Sequence, residues 1–103
     1  MLIYNISFHI DGEAFIRPFL SHMREHFLPA VTAQGYLRQP RFMRLLTDIG
    51  DGLVGYSLMC ECDSAADLKC WKREVGDALL AALSYHFGDK VLTFSSTLRV
   101  VDP

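Results

Sequence analysis

"LIYNISFHID" (residues 2–11) alternates Leu2, Tyr4, Ile6 and Phe8 with Ile3, Asn5, Ser7 and His9. A period of two sends neighbouring side chains to opposite sides of an extended chain, so the stretch predicts a strand with one buried face. The second face carries an asparagine, a serine and a histidine but few charges. What covers that second face is the question on which function turns.

Working outward, Asp11 is expected to cap a helix with Glu13 near its positive end. Phe15, Ile16, Phe19, Leu20, Met23, Phe27, Ala30 and Val31 recur at helical spacing, which predicts one broad apolar stripe. Pro18 and Pro29 interrupt the stripe and predict a bend or break, and Gly35 is the expected C-terminal cap. A second strand is expected within 41–47, followed by a turn at "DIGDG" (48–52) and a third strand over 53–61, the two forming a hairpin. Ser64 and Asp67 in "DSAAD" fit a capping box. The helix they open has Leu68, Trp71, Val75, Leu79, Ala82 and Leu83 as its stripe and closes at Gly88. A last strand is expected over 91–101. The order βαββαβ predicts an α+β, ferredoxin-like fold over residues 1–103, a four-stranded antiparallel sheet with two helices on one face.

Two amphipathic helices cover one side of the sheet only. Taking the heavier set of each strand as helix-facing places Leu2, Tyr4, Ile6 and Phe8 there, with Tyr56, Leu58 and Cys60, and with Leu92, Phe94, Leu98 and Val100. The open face then holds Ile3, Asn5, Ser7, His9, Ser57 and Met59, together with Val91, Thr93, Ser95, Thr97 and Arg99. The cost of burying an unpaired guanidinium assigns Arg44, and with it Phe42, to that face. Such a mixture is too poor in Lys and Glu for bulk water and too polar for a dry core. It suits a sheet covered by a second copy, because a two-fold axis lets one patch meet itself. A homodimer enclosing a cavity lined by small polar groups is therefore expected.

With 103 residues, 50% of them apolar and 21% charged, the chain supports a single core. A formal charge of −2 gives no broad attraction for nucleic acid. No apolar run approaches the roughly 20 residues of a membrane span. The opening alternation is unlike a secretory signal, so a cytoplasmic location is expected. Cys60, Cys62 and Cys70 are expected as reduced thiols. They lack the matching histidine pair of a zinc site, so neither metal nor cofactor is expected.

Several side chains could carry chemistry. His9, near the end of the first strand, could line the mouth of a cavity; a role as surface histidine is equally open. His26 at the edge of the first stripe could act as a base or touch a ligand, although a boundary histidine is the commoner case. His86 suits the negative end of its helix, His22 is expected in solvent, and Trp71 in the core. Arg44 could clamp a carboxylate or phosphate, or else bridge to Glu61 across a dimer. Asn5 could orient a carbonyl or pair with Thr97. Asn5, His9, Arg44, Ser57 and Thr97 thus form the expected ligand-binding set. No paired nucleophile and base, phosphate-cradling loop or carboxylate pair occurs. Three functions stay open: a small-molecule binding or assembly domain, a cofactor-free monooxygenase or isomerase using His9 or His26 with Arg44 and Asn5, or an inert structural module.

Tyr4-Asn5 in the first strand, Pro29 with Gly35 closing the first helix, and Arg41 with Arg44 in the second strand form an ordered pattern. Cys62-Asp63-Ser64 at the second helix start and Phe87-Gly88 before the last strand continue it. Taken together over nearly the whole chain, these resemble an uncharacterised bacterial family, a domain of unknown function. That family is similar to the dimeric α/β-barrel superfamily, in which ferredoxin-like subunits pair sheet to sheet. The superfamily includes monooxygenases of the antibiotic-biosynthesis type, haem-degrading enzymes and muconolactone-type isomerases. The resemblance implies the fold and the homodimer, and it brings no catalytic residues with it.

Overall fold

The first strand of the computed structural model, β1 (Leu2–Asp11), buries every second residue from Leu2 to Ile10, as its sequence alternation requires. The structure describes residues 1–50 and 52–103; the turn expected at 48–52 includes Asp51, which lies outside them. Three further strands complete an antiparallel sheet: β2 (Leu37–Arg44), β3 (Leu53–Cys62) and β4 (Val91–Arg99), in the order β2-β3-β1-β4. This is the ferredoxin-like α+β fold, with β1 and β3 central and β2 and β4 at the edges.

Two helical runs pack on one face. The first passes from α1 (Ile16–His22) through a π-helical turn at Met23–Phe27 into α2 (Leu28–Val31). Pro18 falls in the first turn of α1, where an amide N–H is dispensable. Pro29 would break an ordinary ladder, and the widened turn directly before it accommodates the missing donor without a break. Asp11 does not cap this run. It ends β1, its carboxylate 4.0 Å from Lys90 Nζ, and Gly12, with φ 109°, makes the corner instead. The second run links α3 (Ala65–Trp71) through a π turn at Lys72–Gly76 to α4 (Asp77–Phe87). Ser64 Oγ accepts the amide of Asp67 at 3.1 Å, one half of the expected capping box.

The core fills the space between sheet and helices. Phe8 meets Phe19 and Phe27 at ring separations of 5.4 and 5.6 Å, and Tyr4 meets Trp71 edge-on at 5.5 Å. Trp71 is fully buried and its Nε1 donates to the Val31 carbonyl at 2.9 Å, tying the two helical runs together. Gly76 lets that indole lie flat on the second run, since a Cβ there would meet Trp71 Cζ3 at 2.4 Å. Cys60 and Cys62 belong to the same core and are buried as free thiols.

The edge strands depart from expectation. In β2, Arg38 stands opposite Glu61 but Arg41 stands opposite Met59, so β2 spends three residues where β3 spends two. This β-bulge, with Gln39 at φ 54°, reverses the facing of everything after it. Arg41 and Met43 therefore face the open side, while Phe42 and Arg44 face the helix side. Phe42 stacks on Tyr56 at 5.4 Å and 6° between planes. Arg44 remains exposed at the rim, so the desolvation cost that argued against the helix side never arises. Glu61 lies on the other face, and no bridge from Arg44 to it fits.

β4 is also reversed. Val91 is buried opposite Ile10, which sends Thr93, Ser95, Thr97 and Arg99 to the helix side and Leu92, Phe94, Ser96 and Leu98 to the open side. The helices do not shelter this edge strand beyond Val91, and Thr93 to Arg99 stay exposed. Polar residues suit that side, and the heavier set goes to the open face. Val100, expected under the helices, lies exposed beyond the strand.

Candidate functional site

The open face is a grid whose rows follow from the strand register. One row runs Met43–Ser57–Ser7–Phe94, the next Arg41–Met59–Asn5–Ser96, and the third Arg38–Glu61–Ile3–Leu98. At its centre Ser57 Oγ donates to Asn5 Oδ1 at 2.5 Å, and Asn5 Nδ2 donates to Ser7 Oγ at 3.1 Å. These bonds hold the Asn5 amide rigid and spend much of its capacity internally. Around the polar centre lie exposed apolar side chains: Leu92, Phe94 and Leu98 from β4, and Met43 from β2. Isolated apolar residues are ordinary on a surface, but a contiguous set on one sheet face marks a contact region.

A half-open cavity of about 240 Å³ lies on this face beside the bulge. Ile3, Gln39, Arg41, Met43, Met59 and Glu61 line it. The bulge shapes the cavity in two ways, by taking Gln39 out of register and by setting Arg41 opposite Met59 on the open face. The nearby Arg38 is engaged elsewhere, its Nη1 2.8 Å from Asp63 Oδ2, and that contact holds the Asp63 carboxyl below the usual carboxylate range. Arg41 has no carboxylate within 4.0 Å among the described residues, so it is the cation this cavity presents to a ligand.

At the opposite end of the grid the chain covers its own sheet. Leu45 and Ile49 fold over Gly55, where a Cβ would meet Leu45 Cδ2 at 3.0 Å. His9, opposite Gly55 and Leu92, rests against Phe94 with ring centres 4.9 Å apart.

Of the expected ligand set, Asn5, His9 and Ser57 share the open face. Arg44 and Thr97 do not, and Asn5 stands opposite Ser96 while Thr97 stands opposite Tyr4. His26 is exposed on the helical layer, with Nε2 4.0 Å from Glu25, and cannot act together with Asn5 or His9. A catalytic set drawn from His9 or His26 with Arg44 and Asn5 is therefore not assembled. Arg41, Gln39 and Met43 were missed, and Phe94 was placed on the wrong face. Pro40 was the available signal, because proline inside a strand marks an edge or a bulge.

The helical layer brings together three histidines. His22 lies 5.4 Å from His26 and 5.3 Å from His86 between ring centres, and is half-buried rather than in open solvent. Burial, then His86 and His26, lower the basicity of His22. Among the described residues no group of three or more His, Cys, Asp or Glu is placed to hold a metal ion. A larger cleft of about 510 Å³ lies between α4 and β4, with Asp89 the one charged residue lining it. No helix among the described residues is long and apolar enough to cross a membrane.

The family model described as "Domain of unknown function (DUF4286)" matches residues 1–101. No curated protein matches the chain. Among solved structures, a protein of the "ethyl tert-butyl ether d (ethd) family" from Bacillus halodurans is similar at 16% identity and TM-score 0.68, covering 93% of this chain and 97% of that one. A dimeric ferredoxin-like protein from an uncultured marine organism is similar at 12% identity and TM-score 0.61, covering 99% and 96%. A hydroxynitrile lyase from Passiflora edulis is similar at 12% identity and TM-score 0.57, covering 99% and 97%. At these identities the likeness is one of fold.

Proposed function

Since the chain belongs to the DUF4286 family, a domain of unknown function, we propose that it works as a homodimeric binding domain. Its open sheet faces meet, and each bulge cavity holds a small organic acid against Arg41. The observation that carries this reading is the set of exposed Leu92, Phe94, Leu98 and Met43 beside a cavity with an unengaged arginine. Burying those side chains supplies the drive for association. The planar guanidinium supplies two parallel donors to a carboxylate, and Met43, Met59 and Ile3 supply apolar contact for its carbon skeleton. Support also comes from the dimeric ferredoxin-like neighbour. Three free cysteines suit a reducing compartment such as the cytoplasm.

The test joins sedimentation velocity at micromolar protein with isothermal calorimetry against benzoate and succinate. A dimer that binds one of these acids, and loses it in Arg41→Gln, supports the reading. Single chains at that concentration overturn it whole, and a dimer indifferent to both acids overturns the ligand half.

A further inference from the structure

The bulge cavity is lined by a carboxylate as well as by Arg41, since Glu61 forms part of its wall. The two residues stand diagonally across the open face: Arg41 pairs with Met59, and Glu61 lies two residues further along β3. Diagonal neighbours on adjacent strands are about 7–8 Å apart, within reach of a long side chain. Even so, no cation lies within 4.0 Å of the Glu61 carboxylate among the described residues. Arg38, directly opposite Glu61, gives both ends of its fork to Asp63, with Nη1 2.8 Å from Oδ2 and Nη2 2.9 Å from Oδ1. The cavity therefore presents one unpaired cation and one unpaired anion, with Ile3, Met43 and Met59 among its apolar lining.

Resting on the ligand half of the reading above, we infer that the molecule held here is a zwitterion, an α-amino acid with an apolar side chain, whose carboxylate meets Arg41 and whose ammonium meets Glu61. The two wall charges select for it. A plain carboxylate drawn to Arg41 is repelled by the nearby Glu61, and a dicarboxylate or a phosphate more so. An amine alone meets the converse. A molecule with both groups on one carbon satisfies both walls at once and carries no net charge into the cavity. The guanidinium offers parallel donors to the carboxylate, and the ammonium has three donors to share between Glu61 and the Gln39 side-chain carbonyl. The methionines fit an aliphatic chain of variable shape, because their thioethers are flexible. At about 240 Å³ the cavity equals roughly eight water volumes of about 30 Å³ each. That suits one amino acid and is too small to enclose a nucleotide.

Norleucine and hexanoate differ only in the α-amine, so comparing them isolates the contribution of Glu61. Each is titrated by isothermal calorimetry, at neutral pH and low salt, into the parent chain and into Glu61→Gln. Glu61 is only partly buried, so the variant should fold, and circular dichroism checks it. The parent should bind norleucine about tenfold more tightly than hexanoate, the worth of one charge-assisted contact. In Glu61→Gln the two should bind alike, with hexanoate at least as tight as in the parent because a repelling charge is gone. Equal binding of the two by the parent, or a norleucine preference that survives in Glu61→Gln, overturns the zwitterion while hexanoate binding keeps the organic-acid reading standing. Loss of hexanoate from a folded Glu61→Gln also overturns the role given to Glu61. If the parent binds neither molecule, the ligand half of the earlier reading fails and the zwitterion falls with it.

Discussion

Phe94→Ala is the sharpest perturbation of the open face. An aromatic side chain carries roughly 200 Å² of surface. Phe94 is 53% exposed in the single chain, which leaves about 100 Å² for a second copy to cover. At about 25 cal/mol per Å² this is worth roughly 2.5 kcal/mol per copy, or about 5 kcal/mol for the two phenylalanines of a dimer. Alanine keeps the Cβ, and association never recovers the full transfer energy, so a loss of about 2–4 kcal/mol is the expected cost. That weakens the dimer roughly 30- to 700-fold.

The assay is a dilution series by sedimentation velocity, with Tyr85→Ala as the matched control. Tyr85 is 87% exposed and lies on the helical layer, so its loss removes a comparable aromatic from a surface that plays no part in the contact. Phe94→Ala should dissociate at far higher concentration than the parent, and Tyr85→Ala at the same concentration. Equal behaviour of the two variants would refute the assignment of this face as the interface.

Three further outcomes follow from the core and the helical layer. Gly76→Ala should destabilise by about 1–3 kcal/mol in urea denaturation, because the added methyl meets Trp71 at 2.4 Å; on an open helix the same change would stabilise by about 1 kcal/mol. His22 has a lowered basicity when folded, so the unfolded chain takes up its proton first. The stability this contributes is present above the ordinary histidine value and is lost as pH falls below it; His22→Gln should flatten that acid-side loss in a series of thermal melts. Burial pushes the Cys60 thiol from its ordinary 9 up to about 11, so between those values the unfolded chain sheds its proton while the folded chain keeps it. Stability should fall as pH rises across that interval, and Cys60→Ala should flatten the slope between 9 and 10, below the ordinary tyrosine value from which Tyr4 and Tyr36 are raised.

The central strands and the helices were legible because each has one face that must be dry. Leu2 to Ile10 could point only one way, and the two helical stripes followed the same necessity. Edge strands lack that constraint. β4 has a polar side next to the helices because they stop short of it, so choosing a face by weight of side chain reversed Thr97 and Phe94. In β2 an alternation that crosses a bulge carries two phases, and reading it as one put Arg44 where Arg41 stands. Asn5 and Ser57 were found correctly because they occupy the central strands. The histidine cluster was out of reach for another reason: His22 and His86 are far apart in sequence and meet only through the packing of α1 against α4.

The bulge in β2 makes the strand a parity device. Removing Gln39 or Pro40 would restore regular pairing and exchange the two sides of the strand from residue 41 onward, hiding one set of side chains and displaying the other. A single-codon deletion or insertion at this point could thus redress the whole rim of the sheet in one event, with the neighbouring strand unaltered. Among related chains, length variation at this corner should track which arginine is offered to the surroundings more closely than any substitution does.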